Sequence, residues 1–178
     1  MAILTRERLT TLTESKLGSV VFSKWVNEAK AENRNLATTS LFLSHSHEDL
    51  ASGDLNKAIV ALRSAGVRVY IDSQDASMPP VTNAETAQRI KHAIKSNKKF
   101  VLLATNRAIN SKWCNWELGY GDAQKYEDHI ALLPLADQAG KWIGNEYLQI
   151  YPRIEESSSN PGTYLVIFPN NRTVTLSY

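Results

Sequence analysis

Cysteine is almost absent: the 178 residues contain one, Cys114. A single thiol excludes an intrachain disulfide and a multi-cysteine zinc site, and points to a reducing, cytoplasmic setting. No stretch approaches the ~18 to 20 apolar residues that would span a bilayer, so no membrane partner is expected. The first thirty residues mix Arg6, Glu7, Arg8, Glu14 and Lys16 with apolar neighbours, which breaks the uninterrupted core of a signal peptide. Blocks of one charge sign are also scarce. The formal net charge is +2 and the cations are scattered, apart from pairs such as Lys98 and Lys99. Phosphate-backbone recognition gathers several cations on one face, so nucleic acid is not an expected partner. Low-complexity tracts are missing, and 43% hydrophobic with 21% charged residues is the balance of a folded domain. This length suits one domain with small additions and leaves no room for a second catalytic domain.

What is present reads in three parts: a helical extension over 1–36, an α/β domain over 37–150 and a β-hairpin extension over 151–178. In the first, Leu9, Leu12, Leu17, Val20, Val21, Trp25 and Ala29 recur at spacings that share one helical face. Such a stripe packs on the main domain or meets another subunit; the former is the simpler expectation. From Ser40 the pattern alternates strand and helix. Ser40 to Leu43 is an apolar run that leads into polar Ser44 to Asp49. Leu55, Ile59 and Leu62 mark a helix with Asp54 as its N-cap and Gly66 as its stop. Val67 to Ile71 is the second strand, followed by a turn-rich loop, Ser73 to Asn83, stiffened by Pro79 and Pro80.

Thr82 and Glu85 have capping-box spacing ahead of a helix marked by Ala87, Ile90 and Ile94. Phe100 to Ala104 is a third strand, Ser111 caps a helix running from about Trp113 to Tyr126, and Ile130 to Leu135 is a fourth strand. These apolar runs lack alternation, as strands covered on both faces do. The expected fold class is therefore α/β, a doubly wound, mainly parallel, flavodoxin-like sheet. Ligands in such sheets bind beyond the carboxyl ends of the strands, where Ser44 to Asp49, Asp72 to Pro80 and Thr105 to Glu117 fall. In the tail, Tyr164 to Phe168 and Thr173 to Tyr178 flank Pro169-Asn170-Asn171-Arg172 and predict a hairpin, placed at the sheet edge or paired with another chain.

The segment Ser111-Lys112-Trp113-Cys114-Asn115-Trp116-Glu117-Leu118, directly after the third strand, resembles the S-x-W-C-x-x-E-L segment of catalytically active TIR domains. Leu41-Phe42-Leu43-Ser44-His45-Ser46 resembles the family's first strand and its exit. Val69-Tyr70-Ile71-Asp72 with its proline-containing loop resembles the second strand and BB loop. The similarity covers about residues 38 to 150 in the family's order of elements. It departs from the family in lacking the glycine after the loop proline, since Pro80 and Val81 follow Pro79.

The chemistry suits these residues. Trp113 and Glu117 are one helical turn apart, which puts an aromatic plate beside a carboxylate. NAD+ carries its positive charge on the nicotinamide ring, and an indole face attracts a cation by roughly 0.5 to 2 kcal/mol. When the glycosidic bond breaks, nicotinamide leaves neutral and positive charge passes to the ribose. One carboxylate can stabilise that charge, so neither a general acid nor a metal is required. By spacing alone Glu117 reads as a surface charge near a helix start; the resemblance implies the catalytic role. It also implies NAD+ contacts for Ser44, His45 and Ser46. Trp113, Asp72 and Ser111 complete the candidate binding set, with Asp72 equally suited to capping its loop. His45 and His47 form one His-x-His pair without a third ligand at motif spacing, so no metal is expected. Cys114 and Trp116 read as packing residues.

The resemblance implies an NAD+ glycohydrolase, ADP-ribosyl cyclase or transferase of the stand-alone bacterial type found in Thoeris antiphage defence. It would need no cofactor beyond NAD+ as substrate, assemble with other TIR subunits and reach a separate effector through an ADP-ribose product, free, cyclic or conjugated. The alternative is a non-catalytic TIR adaptor that binds other TIR domains through the loop after Asp72. Nucleoside 2-deoxyribosyltransferases share the fold plan and a carboxylate, but fit the Trp113 to Glu117 segment less well.

Overall fold

Strands without a polar face need cover on both sides, and in the computed structural model they receive it. The structure describes residues 3–16, 39–72 and 83–176. The helical stripe positions Leu17, Val20, Val21, Trp25 and Ala29, the loop with Pro79, Pro80 and Thr82, and the last two residues lie outside that set.

The strands are β1 (Ser40–Ser44), β2 (Arg68–Tyr70), β3 (Lys99–Thr105), β4 (Ile130–Leu135), β5 (Arg153–Glu156), β6 (Tyr164–Ile167) and β7 (Thr173–Thr175). They form one sheet in the order β2-β1-β3-β4-β5-β6-β7. The first five are parallel, and β6 and β7 add antiparallel at one edge. The order 2-1-3-4-5 is the flavodoxin-like winding, whose direction reverses at β1 and β3. Every residue of β3 and β4 is buried.

Side chains alternate between two cores. Leu41, Leu43, Val101, Leu103, Ala131 and Leu133 face one layer, joined by Leu9, Leu12, Leu55, Ile59 and Leu62 from helices α1 (Arg6–Lys16) and α3 (Asp54–Ser64). Phe42, Phe100, Leu102, Ala104, Ile130 and Leu132 face the other. That layer holds Ile90 and Ile94 from α4 (Ala84–Ser96), Cys114 and Leu118 from α6 (Lys112–Gln124), and Trp142.

Helix α1 packs on the main domain. Its Arg6 pairs with Asp54 at 2.8 Å, its Arg8 with Glu156 at 2.8 Å, and Thr10 accepts from Lys57 at 2.7 Å. The hairpin extends the sheet edge through β5, a strand that the sequence pattern did not mark. Two caps differ from expectation. Gly53, at φ 77°, is the N-cap of α3, and Asp54 is the first helical residue, where Arg6 and Ser52 engage its carboxylate. Asn83, with Thr86, caps α4. Gly66 stops α3 at φ 81°, the left-handed conformation that glycine adopts without strain.

Candidate active site

The buried stripe of α6 is Cys114, Glu117, Leu118 and Gly121, spaced as one helical face. Three of these suit a core; the fourth is a carboxylate. Ser111 starts the helix by accepting from the Cys114 backbone N–H. At Gly121 the helix comes so near β3 that a Cβ would lie 3.0 Å from Phe100 Cγ. Glu117 is thereby held against the carboxyl end of β1 and is only 2% exposed, which sets aside the surface-charge reading.

At that end β1 runs out at Ser44. The Ser44 hydroxyl, itself fully buried, donates to Glu117 Oε2 at 2.5 Å. Ser46 then caps a short helix, α2 (His47–Ala51), and its backbone N–H donates to Asp49 Oδ2 at 3.2 Å. Asp49 is fully buried and also accepts from the Thr105 hydroxyl at 3.0 Å, which ties the exit of β1 to the exit of β3. Thr105 in turn caps α5 (Asn106–Asn110).

His45, Ser46, His47, Asp72, Ser111, Trp113, Cys114 and Glu117 line a pocket of about 160 Å³. Six of the seven residues expected from sequence to hold or cleave the ligand are therefore gathered in one place. The seventh, Ser44, lies behind Glu117. His45 Nδ1 is 3.2 Å from the Leu43 carbonyl and 3.9 Å from Asp72 Oδ1. Trp113 rests against Trp116 with ring centroids 4.7 Å apart, and Trp116 stacks on Tyr120 at 6.1 Å, with Lys91 over the Trp116 and Tyr120 rings.

Burial raises the Glu117 carboxyl to about 8; the Asp72 charge adds to this, while hydrogen bonding from Ser44 and Trp113 pulls the other way. Burial also lowers His45, so its imidazole is neutral near pH 7. The Cys114 thiol is pushed up to about 11, again by burial, and stays protonated. Among the described residues, no group of three or more His, Cys, Asp or Glu is arranged to hold a metal ion.

A larger groove of about 860 Å³ lies between α1, α3 and α5. Two of its acidic groups are engaged within the fold: Asp54 by Arg6 and Ser52, Asp137 by the backbone N–H groups of Ala139 and Lys141. Glu117, the carboxylate raised furthest, is in the smaller pocket.

Asp49 was missed by sequence reasoning, although Ser46 and Asp49 have the spacing of a capping box. Trp142 to Tyr151 had no assigned place. Trp142 is buried with its indole N–H donating to the Ala104 carbonyl, and the Tyr147 hydroxyl donates to Asn115 Oδ1 at 2.7 Å, which braces α6 from behind. No described helix is long and apolar enough to cross a membrane.

Residues 41–153 match the family described as TIR domain. The chain is also similar to the probable 3' cyclic ADP-D-ribose synthase ThsB' of Bacillus cereus (strain MSX-D12), 29% identical over 126 residues. That alignment covers 66% of this chain and 61% of the relative, so the chain spans about three fifths of the relative's length.

Proposed function

Because the chain belongs to the TIR domain family, we propose that it breaks the nicotinamide–ribose bond of NAD+ with Glu117 as its catalytic residue. One observation carries this reading. A carboxylate on a core-facing helical stripe sits at the ligand end of a flavodoxin-like sheet, in a pocket shared with an indole. Burying an acid there costs stability unless its charge meets a partner, and a cationic nicotinamide riboside end is such a partner.

The pocket is smaller than the ~300 to 1,000 Å³ of sites that enclose a whole drug-sized ligand. It suits the reacting end of the dinucleotide, with the remainder extending outside. As the C1′–N bond breaks, its electron pair returns to the ring and nicotinamide leaves neutral. The positive charge left on the ribose is what the Glu117 carboxylate stabilises. With Glu117 raised to about 8, the empty site holds mainly the neutral acid near pH 7. Arrival of the cation favours the carboxylate, so binding expels a proton.

The relative's name supports a cyclic ADP-ribose product. In this proposal that product acts on a separate effector in Thoeris-type defence, and TIR subunits assemble to complete the site. Ser46, Ser111, His45 and Asp72 are the proposed binding residues, and Trp113 packs beside the nicotinamide. Purified protein incubated with NAD+, with and without lysate of phage-infected cells, tests this by mass spectrometry of the products. Nicotinamide with a cyclic ADP-ribose is the expected outcome. NAD+ left intact under both conditions would favour an adaptor.

A further inference from the structure

The sequence suggested Ser44 as an NAD+ contact. We infer that Ser44 is instead a positioning residue, which holds the Glu117 carboxylate through its hydroxyl and does not touch the dinucleotide. This inference rests on the reading of Glu117 as the catalytic residue.

Ser44 is the last residue of β1, fully buried, and absent from the pocket wall that Glu117 helps to form. Its one O–H proton goes to Glu117 Oε2 at 2.5 Å. A serine hydroxyl has a single proton to give, so that bond commits it. The Ser44–Glu117 bond thus joins two elements of the fold. One end is anchored on β1 and the other on α6.

The consequence is geometric. A glutamate has three rotatable bonds, and stabilising a charge that develops at one carbon demands that its oxygens be fixed before the bond breaks. Packing of Cys114, Leu118 and Gly121 fixes the helix; the Ser44 bond fixes the end of the side chain. The same bond favours the ionised form of Glu117. The other titratable groups facing the carboxyl are Asp72 after β2, His45 and His47 at the exit of β1, and Cys114 on α6 itself. All of them remain when Ser44 is changed.

The test compares full-length wild type with Ser44→Ala and Ser44→Thr. It uses two readouts: steady-state nicotinamide release from NAD+, and the titration of the Glu117 carboxyl by NMR, assigned with Glu117→Gln. For Ser44→Ala the expected results are a Glu117 titration displaced to higher pH and, compared at a pH above that titration in both proteins, a kcat lower by about tenfold to a hundredfold with an unchanged KM. Ser44→Thr restores the hydroxyl and recovers both. If the threonine methyl prevents folding, as thermal unfolding would show, Ser44→Cys with its weaker donor should fall between alanine and wild type. A raised KM with unchanged kcat would make Ser44 a substrate contact and overturn the inference. So would a Glu117 titration that Ser44→Ala leaves in place. The titration needs no turnover. A wild type that never cleaves NAD+ would therefore sink the enzymatic reading, while the titration still decides whether Ser44 holds Glu117.

Discussion

Asp72 faces Glu117 across the pocket, and its charge adds to burial in holding the Glu117 carboxyl near 8. kcat/KM reports the ionisation of the free enzyme and kcat that of the complex. The profile of kcat/KM for nicotinamide release should therefore rise through about pH 8, and the acid limb of kcat should lie lower because the bound cation favours the carboxylate. Asp72→Asn removes an opposing charge and should move the kcat/KM limb to lower pH. A limb that stays in place would show that burial alone sets the value.

Glu117 should also weaken the fold. Its folded pKa lies above the ordinary 4.5, so its stability contribution is fully present below 4.5 and is lost as pH rises through about 8. Glu117→Gln removes the ionisation. The variant should match the wild type near pH 4 and exceed it increasingly up to pH 9, by a few kcal/mol at most. Urea denaturation across that range reads the difference. A gap independent of pH would contradict the buried-acid description.

Asp49 follows the same sign in a lower window. Burial raises its carboxyl from 3.8 to about 6, so its contribution falls between those values and is flat above them. Asparagine can accept from the Ser46 N–H and donate to the Thr105 hydroxyl, which preserves the tie between β1 and β3. Asp49→Asn should leave stability at pH 7 equal or higher and flatten its change between pH 4 and 6. A large loss at pH 7 would mean that the charge itself holds the two strand exits together, with Arg107, 3.8 Å away, as its partner.

Helix α1 is part of the core. Leu9 is fully buried against α3, and Leu9→Ala should cost about 2 to 5 kcal/mol in chemical denaturation. A cost below about 1 kcal/mol would show that α1 is a dispensable arm.

The parts legible in the sequence are those where one residue type serves one purpose. β1, β3 and β4 are unbroken apolar runs because both faces are covered, Gly66 supplies a left-handed stop, and Ser111 caps α6. What escaped has mixed character. In α2 the buried residue is Asp49, a polar side chain that no hydrophobic period marks. β5 is charged at three of its four positions and buries only Ile154. Thr82 and Asn83 are both cap formers, and the capping box forms one residue later than its spacing suggested. Trp113 and Glu117 were legible as neighbours on a helix. The burial of Glu117 was not, because it depends on Gly121 admitting Phe100 and on Ser44 arriving from β1. Ser44 was legible as a strand exit, but its partner lies 73 residues away.

The most direct test of the account is nicotinamide release by wild type and Glu117→Gln under identical triggering conditions, with thermal unfolding showing that both are folded. The account predicts that the wild type releases nicotinamide and that the variant, although at least as stable, releases essentially none. Release by Glu117→Gln at the wild-type rate would contradict it and place the chemistry elsewhere.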